Sequence, residues 1–119
     1  MRQKAQDGTQ FPQLLEQRGI ISGIKVDKGT QALPGFPGET ITEGLDGLRD
    51  RLVEYRTLGA RFAKWRAVIT IGDGIPTSYC LTANAHALAR YAALSQDAGL
   101  VPIVEPEVQI GRASCRERV

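Results

Sequence analysis

Three short segments of this chain each contain two charged residues spaced two positions apart. The pairs are Lys25 and Asp27 in GIKVDKG, Lys64 and Arg66 in FAKWRAV, and Glu105 and Glu107 in LVPIVEPE. Residues two positions apart in an extended strand point to the same side of the sheet, so each segment presents both charges on one face near its end. Three strands with this arrangement predict one shared polar site.

These residues give three cations and three anions, a set that suits an anionic, oxygen-rich substrate. Arg66 can hold a phosphate through its planar donors, and a lysine in a cationic pocket, such as Lys64, favours the neutral amine that attacks a carbonyl. Partial burial would let Glu105 or Glu107 exchange protons near neutral pH, and Glu105 is the better candidate because it lies at a predicted strand end. The alternative interpretation is that the six charges form ion pairs that only neutralise one another.

The strands that position these residues are predicted from apolar, β-branched runs bounded by glycine or other turn residues. They cover Ile20 to Val26, Arg61 to Ile71 and Leu100 to Val104. Trp65 alternates with the charged residues of its strand and is expected to face the helices. The Gly/Pro-rich segment from Gly29 to Gly38 is interpreted as an ordinary surface connection, with a mobile lid as the alternative.

Two longer segments between the strands repeat their apolar residues with helical spacing. The first predicted helix ends near Leu58, with Gly59 as a left-handed C-cap, and the second has Pro76 in its first turn and ends before Gly99. A shorter helix, from about Phe11 to Arg18, precedes the first strand. The predicted apolar faces are Leu45, Leu48, Leu52 and Tyr55 in the first long helix, and Leu81, Ala85, Leu88 and Ala92 in the second.

The alternation of helices and strands predicts an α/β fold with parallel strands and right-handed crossovers. An open nucleotide-binding sheet usually has a glycine-rich phosphate loop after its first strand, and the turn KGTQALPGFPGET does not contain one. A (β/α)8 barrel places charges from successive strands together at its mouth, where the active sites of this fold lie. A complete barrel needs roughly 250 residues. The chain is therefore predicted to be part of a TIM barrel.

The last ten residues, IGRASCRERV, differ from the rest of the chain because they show no apolar periodicity. The whole net charge of +2 lies in this tail, so the charge gives no support to nucleic-acid binding. The tail is similar to the translation of a common sequencing-library adapter, and the alternative is a genuine basic arm. We predict a barrel fragment over residues 1–109 and a non-native tail over residues 110–119.

Cysteine use and hydropathy indicate the cellular setting. Outside the tail, Cys80 is the only cysteine, which predicts no disulfide and favours the reducing cytoplasm. No signal peptide is recognised, and no apolar run approaches the roughly 18 residues of a membrane span, so no membrane role is predicted. His86, the only histidine, is expected to be solvated or packed rather than catalytic, and no metal site is predicted.

Five motifs, in their order and spacing, closely resemble class I fructose-bisphosphate aldolases. They are GIKVDKG, GLDGL followed by a helix, FAKWR, NAHALARYA and GLVPIVEPE. The resemblance runs from about Gln3 to Val108 and implies a (β/α)8 barrel of which this segment supplies the third, fourth and fifth strands. It implies reversible cleavage of fructose 1,6-bisphosphate to dihydroxyacetone phosphate and glyceraldehyde 3-phosphate, in glycolysis and gluconeogenesis.

The resemblance also implies a role for each charged residue. Lys25 and Arg66 bind the phosphorylated sugar, Lys64 contacts substrate and assists carbon–carbon cleavage, Glu105 transfers protons, Glu107 supports the Schiff-base region, and Asp27 is a weaker supporting candidate. The Schiff-base lysine belongs to the sixth strand, beyond this chain. A lysine iminium serves as the electron sink, so no cofactor or metal is expected.

Further expectations follow from the resemblance. The chain alone is expected to be inactive, and the full-length protein is expected to be a homo-oligomer whose partner is a small phosphorylated sugar. Two alternatives remain at this point: another phosphate-handling TIM-barrel enzyme, or a short non-catalytic binding protein.

Overall fold

The computed structural model describes residues 3, 4, 6 and 8–110, so the predicted tail, apart from Ile110, lies outside the described residues. The elements follow in the order α1 (Phe11–Gln17), β1 (Gly23–Lys25), β2 (Thr30–Ala32), β3 (Thr40–Thr42), α2 (Leu48–Leu58), β4 (Phe62–Ile71), α3 (Ser78–Asp97) and β5 (Val101–Ile110).

The described residues contain a three-stranded sheet in the order β1, β4, β5, and both strand pairs are parallel. β1 pairs with β4 from Gly23↔Phe62 to Lys25↔Lys64, and β5 pairs with all ten residues of β4. The prediction of an α/β fold with parallel strands is therefore confirmed.

Two strands differ in length from their predictions. β1 covers three residues, and the side chains of Ile20 and Ile21 before it are 51% and 72% exposed. β5 continues to Ile110 because the long β4 offers a hydrogen-bonding partner along its whole length. Glu105 is thus the fifth residue of a ten-residue strand, and the prediction that it lies at a strand end is wrong.

The segment interpreted as a surface connection contains β2, the first strand of a β-hairpin whose second strand, β3, follows the segment. β2 and β3 pair antiparallel from Thr30↔Thr42 to Ala32↔Thr40. Each strand has only three residues, which is too short for an alternating pattern to be recognised in the sequence.

Helix α2 agrees with its prediction. Leu48 and Leu52 are fully buried, and Gly59 follows the last residue with a φ of 115°. In this left-handed conformation the Gly59 amide donates to the Arg56 carbonyl at 3.2 Å, which closes the helix as the sequence predicts.

Helix α3 has its predicted extent but a different buried face. Pro76 lies before the helix rather than in its first turn, and the Thr77 hydroxyl caps it by accepting from the Cys80 amide at 3.2 Å. Leu81 is 47% exposed and Ala85 is also exposed, so this part of the predicted apolar face is wrong. The buried residues of α3 are Cys80, Asn84, Ala87, Tyr91 and Ser95. Asn84 can be buried on this face because its side-chain amide donates to the Thr40 carbonyl of the hairpin at 3.0 Å.

The main core lies between the sheet and helices α2 and α3. Trp65 is fully buried and its ring packs against that of Tyr91, with centroids 5.4 Å apart. Trp65 therefore faces the helices as predicted, which directs its neighbours Lys64 and Arg66 to the other face of β4.

A buried carboxylate fastens the hairpin to α3. Glu39 is 3% exposed and accepts from the Thr77 amide at 2.9 Å and the Thr77 hydroxyl at 2.7 Å. Burial opposes ionisation of Glu39, but these hydrogen bonds outweigh it and lower the pKa of the carboxyl. Burial is the larger cause that raises the pKa of the Cys80 thiol to about 11. The nearby Glu39 carboxylate adds to this effect because it disfavours the thiolate.

The Glu39→Gln variant tests this contact through the pH dependence of stability. Because the Glu39 pKa is lowered on folding, its contribution is complete above the unfolded pKa of about 4.3 and is lost as the pH falls through the folded value. In a full-length protein that contains this segment, we expect the thermal midpoint to fall more steeply below pH 5 than in the variant. The variant should also be the less stable protein at pH 7. Parallel curves of midpoint against pH would contradict this role.

Candidate functional site

The sheet register brings the predicted charged residues together on the face opposite the helices. Lys25 is the cross-strand neighbour of Lys64, and Arg66 is the neighbour of Glu105. Lys64 and Arg66 are the third and fifth residues of β4, whereas the intervening Trp65 is buried on the helix side. The charges lie along the middle of β4 and β5 rather than at their ends.

Lys64 and Glu105 form the most direct candidate for proton transfer. The Lys64 Nζ and Glu105 Oε2 atoms are 2.9 Å apart, and the two side chains are 42% and 38% exposed. An ammonium and a carboxylate at this distance share a proton-transfer path, and their exposure leaves both accessible to a ligand.

Arg66 and Glu107 form a second pair, in which Arg66 Nε donates to Glu107 Oε2. This hydrogen bond lowers the pKa of Glu107 and raises that of Arg66. The hydrogen bond thus favours the carboxylate form of Glu107, which does not support the expectation that partial burial lets it exchange protons near neutral pH. Its position suits charge balance on Arg66 rather than proton transfer.

Asp27 forms the third pair and is the most buried of the six charged side chains. Its side chain is 2% exposed, and its Oδ1 lies 3.4 Å from Lys25 Nζ and accepts from the Gly29 amide at 3.0 Å. Its Oδ2 accepts from the backbone amide of Arg66 at 3.1 Å. Asp27 therefore links β1 to β4 and orients Lys25. The sequence DKG, an aspartate two residues before a glycine, is a signal for the local turn.

All six predicted charges thus meet an opposite charge within the described residues, as the alternative interpretation requires. Five of these side chains are nevertheless between 38% and 58% exposed, and exposed ion pairs contribute little to stability. A multiply charged anion can therefore replace one partner of a pair with only a small loss of stabilising free energy. The arrangement is consistent both with charge balance and with a ligand site.

Sequence reasoning missed the structural role of Tyr91 in this site. The Tyr91 hydroxyl lies 2.7 Å from the Ala63 carbonyl and 2.9 Å from the Ile103 carbonyl, so it bridges β4 and β5 directly behind Lys64. Burial raises the Tyr91 pKa to about 12, so the hydroxyl stays a donor. An aromatic residue on a helix face is usually interpreted as a core packing group. The sequence spacing does not show that two backbone carbonyls lie within hydrogen-bond distance of its hydroxyl.

The described part of the chain contains neither a candidate metal centre nor a candidate membrane span. No group of three or more His, Cys, Asp or Glu side chains there could hold a metal ion. His86 is exposed and lines a groove of about 400 Å³ together with Lys28, Glu43 and Asp46, where α3 meets the loop before α2. None of the described helices combines the length and apolarity needed to cross a bilayer.

The fold and the site define a class: an α/β protein whose parallel strands carry paired cations and carboxylates on one half-exposed face. Comparison with known proteins gives the family. The family model for class I fructose-bisphosphate aldolase matches residues 1–114. The chain belongs to this family.

Individual relatives agree with this assignment. The chain is 68% identical over 108 residues to a probable class 1 fructose-bisphosphate aldolase of Xanthomonas campestris, covering 91% of this chain and 32% of the relative. It is 56% identical over 108 residues to the cytosolic fructose-bisphosphate aldolase 6 of Arabidopsis thaliana, covering 91% of this chain and 30% of that protein. The chain thus spans about a third of the length of these relatives.

A solved structure is similar in fold as well as in sequence. The fructose-bisphosphate aldolase of Plasmodium falciparum, solved with TRAP and a small-molecule inhibitor, is 49% identical. The TM-score is 0.84, and the superposition covers 90% of this chain and 31% of that one.

Proposed function

We propose that this chain is a segment of a class I aldolase that reversibly cleaves fructose 1,6-bisphosphate to dihydroxyacetone phosphate and glyceraldehyde 3-phosphate. The observation that carries the proposal is the half-exposed Lys64–Glu105 pair, 2.9 Å apart, on the face that also carries Arg66. This face therefore combines a proton-transfer group, Glu105, with the cation Lys64 beside it. It also carries the Arg66 guanidinium, whose planar donors can bind a phosphate.

The family resemblance implies a role for each side chain, and the positions in the sheet are compatible with these roles. Glu105 transfers protons, and Lys64 supports the charge that develops during carbon–carbon cleavage. Arg66 and the exposed Lys25 bind the phosphorylated sugar, and both are paired here with carboxylates that a phosphate can replace. Glu107 balances Arg66 and supports the Schiff-base region, and Asp27 orients Lys25 and the Arg66 backbone.

The electron sink of the proposed reaction is a lysine iminium, and we place that lysine outside these 119 residues. The electron pair of the broken carbon–carbon bond moves into the iminium, and the hydroxyl of the aldehyde half loses its proton to Glu105. This chemistry needs no metal.

The fold proposal is that these strands are the third, fourth and fifth of a (β/α)8 barrel. It is supported by β5, which is an edge strand of the described sheet and in which the apolar residues Val101 and Val108 are 64% and 58% exposed. Apolar residues at this level of exposure are suited to burial under a further strand and helix.

Three other features remain proposals. Residues 1–109 form the barrel segment and residues 110–119 are non-native, and nucleotide sequence after the Val108 codon that lacks adapter bases would contradict this. The full-length protein forms a homo-oligomer, which sedimentation of that protein tests. It resides in the cytoplasm, in line with the cytosolic relative of Arabidopsis, and fractionation of the source cells tests this.

A chimera tests the function without relying on the segment to fold alone. The 108 aligned residues of this chain replace their counterparts in the Xanthomonas relative, and the unchanged relative serves as the control. Because the two segments are 68% identical and volume-conserving core substitutions are tolerated best, we expect kcat for fructose 1,6-bisphosphate within roughly tenfold of the control. A chimera that shows the circular dichroism and thermal midpoint of a folded protein, yet no cleavage, would overturn the proposal.

A further inference from the structure

The backbone hydrogen bonds between β1 and β4 cover only the first part of β4, the strand that carries Lys64 and Arg66. Their last member is the bond from the Val26 amide to the Lys64 carbonyl, at 3.0 Å. β4 continues to Ile71, so the backbone groups of Arg66 and Val68 on this edge extend past the end of β1. These groups need other partners.

Three side chains supply the hydrogen bonds that β1 does not provide along this edge of β4. The Asp27 carboxylate accepts from the Arg66 amide at 3.1 Å, and the Thr42 hydroxyl donates to the Arg66 carbonyl at 2.8 Å. Two residues further on, the Thr40 hydroxyl donates to the Val68 carbonyl at 3.1 Å. The backbone of Arg66 is thus held on this side by an aspartate and a threonine rather than by a neighbouring strand.

Thr42 is itself held rigidly. Its residue is 3% exposed, and it lies on β3, whose Thr40 carbonyl accepts from Asn84 of α3 at 3.0 Å. Contacts therefore run continuously from α3 through the hairpin to the Arg66 peptide group. A side chain supported in this way fixes the orientation of the residue that it holds.

We propose that Thr42 is a positioning residue that sets the direction in which the Arg66 guanidinium projects from the sheet. The inference rests on the proposed function, in which Arg66 binds a phosphate of the substrate. A guanidinium binds phosphate through parallel hydrogen bonds that depend on its orientation, so a small rotation of the Arg66 backbone weakens ground-state binding.

The test compares two threonines of the same strand in the active chimera. Thr42→Val removes the hydroxyl that holds Arg66 and preserves the side-chain shape, and Thr40→Val makes the same change at Val68. We expect Thr42→Val to raise KM for fructose 1,6-bisphosphate roughly three- to tenfold with kcat nearly unchanged, and Thr40→Val to leave KM within about twofold. Thr42→Ser retains the hydroxyl and should restore KM.

A double-mutant cycle identifies the residue through which Thr42 acts. If Thr42 acts on Arg66, the effect of Thr42→Val on KM should disappear in an Arg66→Ala background, because the group being oriented is gone. Equal increases for Thr42→Val and Thr40→Val, or an undiminished effect without Arg66, would overturn the positioning role. An inactive parent chimera would instead overturn the proposed function.

Discussion

Glu105→Gln is expected to lower kcat of the chimera by roughly 10²- to 10⁴-fold, with a much smaller change in KM. Glutamine preserves the size of the side chain and its place in β5, but an amide cannot take up or release a proton at neutral pH. The variant also breaks the ion pair with Lys64 Nζ, which lies 2.9 Å from the carboxylate. The loss should therefore appear in the chemical step.

This measurement separates the two interpretations of the charged face. If Glu105 only neutralises Lys64, the half-exposed pair contributes little to stability and nothing to the chemical step. The variant should then retain nearly full kcat. Asp97→Asn is a matched control, because Asp97 also pairs with a cation, Arg49, at 3.5 Å. Both side chains are more than two-thirds exposed, and both belong to the helices rather than to the sheet. We expect the control to match the parent. A Glu105→Gln variant within threefold of the parent would contradict proton transfer by Glu105.

The 119-residue chain alone is expected to show no aldol cleavage and to form no stable adduct when treated with borohydride in the presence of substrate. Borohydride traps an enzyme only when a lysine forms an imine with the substrate, and we place that lysine in the part of the family that this chain does not span. Lys64 is the amine to which an adduct would be attributed, and it is engaged by Glu105.

Intact-mass measurement after borohydride treatment checks this expectation, with the full-length Xanthomonas relative as the positive control. The relative should gain the mass of the reduced substrate adduct, and the 119-residue chain should not. A reduced adduct mapped to Lys64 would contradict the view that the nucleophile lies elsewhere. Turnover by the chain alone would contradict it as well.

The sequence located the helices and the long strand well because their signals are local. The Leu48 and Leu52 spacing and Gly59 at the C-cap are properties of a single helix, and α2 follows them. The alternation of Trp65 with Lys64 and Arg66 is likewise a property of one strand, and it fixes which side chains face the helices. Such patterns need no knowledge of neighbouring elements.

Features that depend on a neighbour were predicted less well. β5 was predicted too short because its length is set by the pairing offered by β4. The buried face of α3 was misassigned because Asn84 and Tyr91 are buried only where the Thr40 and Ala63 carbonyls can accept their hydrogen bonds. The hairpin was missed because its three-residue strands depend on side-chain contacts with β4 and α3.

The sequence by itself determined the α/β order, the parallel strands, the family and the set of charged residues, because residue types and their spacing carry this information. Only the tertiary structure decided how these charges are partnered: Lys64 with Glu105, Arg66 with Glu107, and Asp27 with both Lys25 and the Arg66 backbone. The partners come from different strands, and the sheet register that joins them arises from long-range packing.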